Sequence, residues 1–200
     1  SHDLKTPLTS IITYIDLLKE ENLNDNKRNE YINTLNRNAF RLKNLIDDLF
    51  EISKANSGNI KLNIVDVDIV ALIQQTKFEL TDNFTGKNLI FKTVYPKEKI
   101  ILKLDSQKTY RIFENLLINI SKYALENTRV YIEVINYTNK VEIIFKNISS
   151  DEIKISANEL VGRFVQGDKS RNTSGSGLGL AIVKSFTELQ NGIFKIEVDG

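Results

Sequence analysis

The chain has 200 residues, 41% apolar and 26% charged, and its 27 Lys and Arg against 26 Asp and Glu leave a net charge of +1. That balance excludes a polybasic nucleic-acid binder and an acidic solvating tail, and a Cys count of zero excludes disulfides, thiol nucleophiles and zinc–thiolate sites. No apolar run is long enough to span a bilayer or form a secretory leader, and with Met also at zero the sequence reads as a fragment of a longer protein, not itself membrane-embedded. From His2 to about Glu20 the large apolar residues fall at Leu4, Leu8, Ile11, Ile15 and Leu18, an a/d stripe that predicts a helix. After a polar stretch, Glu21 to Asn26, the pattern resumes at Tyr31, Leu35, Asn38, Leu42, Leu45, Leu49 and Ile52. This second helix is expected to end at Ser57-Gly58, a length of about 34 residues or roughly 50 Å. A short connection makes the pair an antiparallel hairpin. Ile32, Ala39, Ile46 and Phe50 widen the second stripe beyond what one helix covers, so two hairpins are expected to pair as a homodimeric four-helix bundle.

Past Gly58 the heptads stop and the texture becomes mixed. Ile60 to Val65 alternates like a strand, and Asp68 is placed to cap a helix running to about Leu80. Strands are expected near Leu89–Val94 and Ile100–Leu104, followed by a second helix capped by Asp105 and carrying Ile112, Phe113, Leu116, Leu117 and Ile120. Arg129–Ile135 and Val141–Phe145 flank Asn136–Asn139 as a hairpin. A long polar stretch, Asn147 to Gly177, leads to a helix over about Leu178–Leu189 and a final strand at Ile193–Val198. Helices alternating with antiparallel strands predict helices on one face of a mixed sheet. The expectation is thus an α+β chain of two domains, 1–58 and 59–200, that stops before a further strand completes the sheet.

Three segments carry residues suited to chemistry. In Ser1-His2-Asp3-Leu4-Lys5-Thr6-Pro7 the only His of the chain lies off the a/d stripe, with Thr6 one turn along on the same face. Pro7 lacks an N–H and loosens the helix beside it, and Asp3 is suited to take a proton or hydrogen bond from one ring nitrogen while the other acts as nucleophile. A solvated face with Pro near a helix start accommodates the same residues. Asn115, Asn119, Lys122 and Tyr123 stand at i, i+4, i+7 and i+8, a polar stripe on one helix face. Amide oxygens suit a hard cation such as Mg²⁺, the ammonium a phosphate, and the ring a base; an ordinary exposed face is the alternative. Gly175, Gly177 and Gly179 at a helix start expose backbone N–H groups to an anion. Apolar Leu178, Leu180 and Ile182 argue against the alternative of a solvated Gly/Ser linker.

Taken in order, SHDLKTPLT resembles the H box of sensor histidine kinases, ENLLINISKY their N box, RFVQGDKSR their F box and GSGLGLAI their G2 box. The resemblance covers essentially the whole chain. It implies a dimerisation and histidine-phosphotransfer domain followed by an α/β sandwich of the gyrase/Hsp90-like (Bergerat) ATP-binding type. By that resemblance His2 accepts the γ-phosphoryl group of ATP, Asp3 orients it and takes its proton, and Thr6 orients water during dephosphorylation of a partner. Asn115 and Asn119 match the Mg²⁺-ATP positions, Lys122 a phosphate contact, Tyr123 a residue lining the nucleotide, and Gly175, Gly177 and Gly179 the phosphate loop. Arg171 is a further phosphate candidate in a lid.

One departure stands out. The family's Asp-x-Gly-x-Gly, whose Asp hydrogen-bonds the adenine amino group, corresponds here to Asn147, Ser149 and Asp151. Asn still accepts that bond, but without charge. The expected protein is the cytoplasmic part of a membrane-anchored bacterial two-component kinase that uses ATP and Mg²⁺ and passes phosphate from His2 to an aspartate of a response regulator receiver domain. The alternatives are a degenerate kinase acting mainly as phosphatase or dimeric scaffold, and an ATP-driven clamp. The regulator is expected to dock on the face carrying His2, Thr6, Ser10, Thr13, Tyr14 and Leu17, with Tyr14 and Leu17 left over by the a/d seam.

Overall fold

The computed structural model describes residues 2–20, 23–57, 61–153, 157–160 and 177–199. The chain divides into two compact units, residues 1–53 and 54–200. In the first, α1 (His2–Leu17) and α2 (Asp25–Asn56) form the expected hairpin. Asn24 starts α2 by accepting a hydrogen bond from the Lys27 amide at 2.8 Å, an N-cap that satisfies a donor the helix itself cannot pair.

The seam inside the hairpin differs from the expected one. Leu8 and Ile15 are 47% and 45% exposed, whereas Pro7 is buried. The Tyr14 ring meets Tyr31 edge-on with centroids 5.4 Å apart. One turn away, Asn38 donates from Nδ2 to Ser10 Oγ at 3.2 Å and to the Thr34 carbonyl at 2.9 Å. The inward stripe is therefore Leu4, Pro7, Ile11, Tyr14 and Leu18, spaced 3-4-3-4. Both phases satisfy a heptad, and the inward one brings together two aromatic rings and two polar groups that pair with each other. Tyr14 and Ser10 thus belong, half-buried, to the stripe that faces α2, and Tyr14 is not left over by the seam as expected. Leu8, Ile12 and Ile15 of α1 and Ile32, Phe40, Ile46 and Phe50 of α2 instead point outwards.

In the second unit the elements run β1 (Ile64–Asp68), α3 (Ile69–Glu79), a 3₁₀ turn (Thr81–Phe84), β2 (Ile90–Val94), β3 (Ile101–Asp105), α4 (Ser106–Tyr123), β4 (Arg129–Asn136), β5 (Val141–Asn147), a single turn α5 (Ala157–Leu160) and α6 (Gly179–Leu189). β1 and β3 pair antiparallel; β2 pairs parallel with β4, and β4 antiparallel with β5. The helix starts are where the aspartates predict them. Asp68 accepts from the Ala71 amide at 3.1 Å and Asp105 from the Lys108 amide at 3.0 Å.

Phe113, Leu117 and Ile120 of α4 are buried in one core with Val130, Ile132 and Val134 of β4 and Ile69 and Ile73 of α3. The 3.6-residue and two-residue periods of those elements place every one of these side chains on the inner face. α6 packs on α4, with Ala181, Ile182, Val183 and Phe186 buried. Gln190 ties its end to the start of α4, accepting from the Asp105 amide at 2.8 Å and from Thr109 Oγ1 at 3.3 Å. At the outer edge of α4 the Tyr110 hydroxyl donates to Glu79 Oε2 at 2.8 Å. Burial first, then that bond, pushes Tyr110 up to about 12, so the donor proton stays in place across the physiological range.

Two expectations need correction. The first strand begins at Ile64, not Ile60, which lies outside the described residues. The segment 193–198 forms no strand, and Ile193 is 82% exposed. Alternation makes a strand only where a neighbouring ladder takes up its N–H and C=O groups, and no described residue pairs with this segment.

Candidate functional site

α4 carries Asn115, Asn119, Lys122 and Tyr123, all half-buried, over its last two and a half turns. The Asn115 amide is fixed at its nitrogen, which donates to the Arg111 carbonyl one turn back at 2.7 Å. Its oxygen faces α6. A Cβ added at Gly179 would sit 3.1 Å from Asn115 Oδ1, a tight contact that the absent side chain avoids at the first residue of α6. Two residues earlier Gly177 has φ +62°, a left-handed conformation that glycine adopts without a steric cost. Leu178 between them is fully buried and anchors the turn. Among the described residues no side chain caps α6, and the amides of a helix's first turn have no partner within the helix. An amide oxygen and a helix start with positive dipole thus lie side by side.

Asn119, one turn along, makes no side-chain hydrogen bond to a described residue. Two amide oxygens are too few for a six-coordinate Mg²⁺, which takes its remaining ligands from phosphate and water. The donor set fits a metal carried in on a nucleotide. Arg111 and Glu114 form an ion pair at 2.6 Å beside it. The Arg111 carbonyl is a positioning group that reading the sequence passed over; its i−4 relation to Asn115 is the only signal it leaves there.

The far end of α4 meets the segment that replaces Asp-x-Gly-x-Gly. The Tyr123 carbonyl accepts from the Ser150 amide at 2.8 Å, the Leu125 amide donates to the Ile148 carbonyl at 2.8 Å, and Ala124 bridges Ser149. Asn147 is exposed and donates from Nδ2 to the Ile148 carbonyl at 3.2 Å. That bond engages the amide nitrogen and leaves Oδ1 as the acceptor atom of the side chain. Ser150 Oγ donates to Asp151 Oδ2 at 3.3 Å, and Ser149 Oγ accepts from the Asp151 amide at 3.4 Å. These bonds within the segment stand where the family pattern has two glycines.

The structure therefore places Asn115, Asn119, Lys122 and Tyr123 along α4, sets Gly179 against Asn115 at one end, and joins the segment that follows Asn147 to the other end. Arg171, Gly175 and the whole RFVQGDKSR segment lie outside the described residues, as do the side chains of His2 and Asp3. In the first unit His2 and Thr6 sit one turn apart near the start of α1, and Thr6 is exposed. Among the described residues no helix is long and apolar enough to cross a membrane.

A helical hairpin with its lone histidine in the first turn, followed by an α/β unit that sets a glycine-led helix start against an asparagine-bearing helix, defines the class. Residues 1–58 match the family profile of the His Kinase A (phospho-acceptor) domain, and residues 104–200 that of the histidine kinase-, DNA gyrase B- and HSP90-like ATPase. The chain belongs to the sensor histidine kinase family of two-component systems. It is 33% identical to the sensor protein VanSC of Enterococcus gallinarum, over 98% of this chain and 55% of that protein. It is 29% identical to the sensor protein kinase WalK of Staphylococcus aureus, over 100% of this chain and 49% of the relative. The chain spans about half the length of the curated relatives it matches. The same fold occurs in the Acinetobacter baumannii histidine kinase AdeS, with a TM-score of 0.72 at 15% identity over 94% of this chain and 87% of that one. Full-length ShkA, solved in complex with AMPPNP, gives 0.71 at 21% identity over 99% of this chain and 41% of the other. ThkA, solved in complex with the response regulator protein TrrA, gives 0.69 at 18% over 96% and 53%.

Proposed function

We propose that this chain binds Mg-ATP in its second unit, transfers the γ-phosphoryl group to His2, and passes it on to an aspartate of a response regulator. The observation that carries the nucleotide half is Asn115 Oδ1 set against the start of α6. That juxtaposition offers oxygen to a cation and backbone N–H groups to phosphate at one place. The AMPPNP complex of ShkA supports the same reading. Lys122 and Tyr123, about 12 Å further along the helix at 1.5 Å per residue, then lie towards the sugar and base. Arg171 and Gly175 complete the phosphate contacts in this reading. In this reading the domain boundary falls at residues 58/59, where the phospho-acceptor profile ends and a few residues past the 53/54 division of the compact units, and separates acceptor from nucleotide.

In the transfer, one ring nitrogen of His2 forms a bond to the γ-phosphorus. The bond to the bridging oxygen breaks, ADP leaves with that electron pair, and the ring proton passes to Asp3. Asn115 and Asn119 would hold the Mg²⁺ that comes with the nucleotide, and the ion would supply charge neutralisation on the phosphate oxygens. The aspartate of the regulator then takes the phosphoryl group from the ring. Thr6, on the same face as His2, orients water for the reverse task of regulator dephosphorylation. The regulator complex of ThkA supports such a partner. The whole protein is read as membrane-anchored, with this part in the cytoplasm.

Incubation with γ-labelled ATP tests the core of this reading. A label lost in acid and kept in alkali is expected; no label indicates a scaffold or phosphatase, and free phosphate alone an ATP-driven clamp.

Two further results are expected. The outward residues Leu8, Ile12, Ile15, Phe40 and Phe50 form an apolar face too large for an isolated hairpin, so the chain pairs as a homodimer. Light scattering should give twice the monomer mass, and Phe50→Asp should shift it to monomer with helix content unchanged; a monomeric wild type would overturn the pairing. The second concerns adenine. A charged acceptor is worth roughly 1 kcal/mol more than a neutral one, about fivefold in Kd. Asn147→Asp should therefore tighten ATP binding a few-fold and restore preference for adenine over guanine, as read by calorimetry. Asn147→Ala binding like wild type would remove Asn147 from the adenine contact.

A further inference from the structure

Lys87 lies outside every motif of the sequence, in the turn between the 3₁₀ segment and β2. Its ammonium donates to the Lys122 carbonyl at 2.8 Å and to the Ala124 carbonyl at 3.0 Å. Between these two, the Tyr123 carbonyl takes the Ser150 amide at 2.8 Å. Three successive carbonyls at the end of α4 are thus all satisfied from outside the helix, two by one side chain and one by the segment that follows Asn147. They are the groups a helix leaves unpaired at its C-terminus, where the dipole favours a cation. The turn that carries Lys87 is itself fastened to the same region. Its carbonyl accepts from the Asn127 amide at 2.9 Å, and Asn88 Nδ2 donates to Asn127 Oδ1 at 3.2 Å. Asn88 and Asn127 take φ of 48° and 60°, the left-handed turns that aim this bracket at the helix end.

We infer that Lys87 is a positioning residue of the nucleotide site: by clamping the last carbonyls of α4 it presets Lys122 and Tyr123 and, through Tyr123, the 147–151 segment that meets the base. The inference rests on the nucleotide reading above. It separates two ends of one site. Asn115 and Gly179 hold the phosphate end of α4, and Lys87 holds the base end, eight residues away. Without the clamp, water takes over the carbonyls of a half-buried turn, the last turn frays, and the base-facing groups must be ordered when nucleotide binds. That ordering weakens affinity for anything carrying a base and leaves the phosphate end as it was.

The test uses the full chain with Lys87→Met, Lys87→Gln and Lys87→Arg, Mg-ATP and Mg-tripolyphosphate as ligands, and amide hydrogen exchange. Lys87→Met is expected to weaken ATP about fivefold, corresponding to ~1 kcal/mol, with tripolyphosphate unchanged. The Ser150 and Leu125 amides should exchange faster while that of Ile132 in β4 stays protected. Lys87→Gln, with fewer donors, should fall between, and Lys87→Arg, which keeps a cation with several donors, should restore most of the affinity. Should the Met variant fail to fold, the Gln and Arg pair carries the same comparison. A residue that merely stabilises the fold would weaken both ligands alike or neither, and either outcome overturns the inference. Wild type that binds no ATP overturns the nucleotide reading and this inference with it; wild type that binds ATP beside an equally tight Lys87→Met overturns this inference alone.

Discussion

Replacement of His2 by Gln is expected to remove all acid-labile phosphoryl label from the protein while leaving ATP affinity unchanged. The chain has one histidine, so no second imidazole exists to take over. Gln keeps a polar side chain of similar reach, but its amide nitrogen shares its lone pair with the carbonyl and is no nucleophile. The loss should therefore reach the floor of the assay instead of a partial decrease. ATP binding should persist because Asn115, Asn119 and Gly179, the residues proposed to hold the nucleotide, all belong to the other unit. Labelling with γ-labelled ATP beside calorimetry on the same preparation separates the two quantities. Acid-labile, alkali-stable label on the Gln variant would refute His2 as acceptor.

Gly179→Val is expected to have the largest effect on the nucleotide side. A single carbon at this position already lies 3.1 Å from Asn115 Oδ1, closer than ordinary carbon–oxygen contact, and Val adds two methyl groups beyond it. The amide it meets cannot turn aside freely, because its nitrogen is bonded to the Arg111 carbonyl at 2.7 Å. Breaking that bond costs about 0.5–1.5 kcal/mol, and the alternative is to push the start of α6 off α4. Either way the oxygen and the backbone N–H groups no longer converge. We expect ATP affinity to fall by at least about tenfold, or 1.4 kcal/mol. Gly179→Ala, which adds the one carbon, should lie in between. Ala181, Ile182, Val183 and Phe186 still bury α6, so thermal melting should shift little. Calorimetry decides: a Val variant that binds ATP as wild type does would place the phosphates elsewhere.

Much of this architecture is legible from residues alone because the decisive interactions are local. Asp68 and Asp105 cap helices by bonding amides three residues away, and the β4–β5 hairpin closes over four residues. The polar stripe of α4 is a matter of helical period, and the glycines before α6 declare a turn and a close approach. What escaped the reading depends on a choice of neighbour. The α1 stripe admits two heptad phases, one through Leu8 and Ile15 and one through Pro7 and Tyr14; only the presence of Tyr31 and Asn38 opposite selects the second. The 193–198 alternation promised a strand, but a strand needs a ladder and none reaches it among the described residues. Lys87 gave no signal at all, since its partners lie 35 and 37 positions away.

By itself, then, the sequence determined most of the elements, where the aspartates start two of the helices, and which polar residues share one face of α4, because capping, periodicity and backbone freedom act within a few residues. Only the tertiary structure decided which face of α1 turns inward, that Gly179 stands against Asn115, and that Lys87 and Ser150 close the far end of α4. Those are contacts between segments tens of residues apart, and their geometry is set by how the core of α3, α4 and β4 packs, which no local pattern encodes.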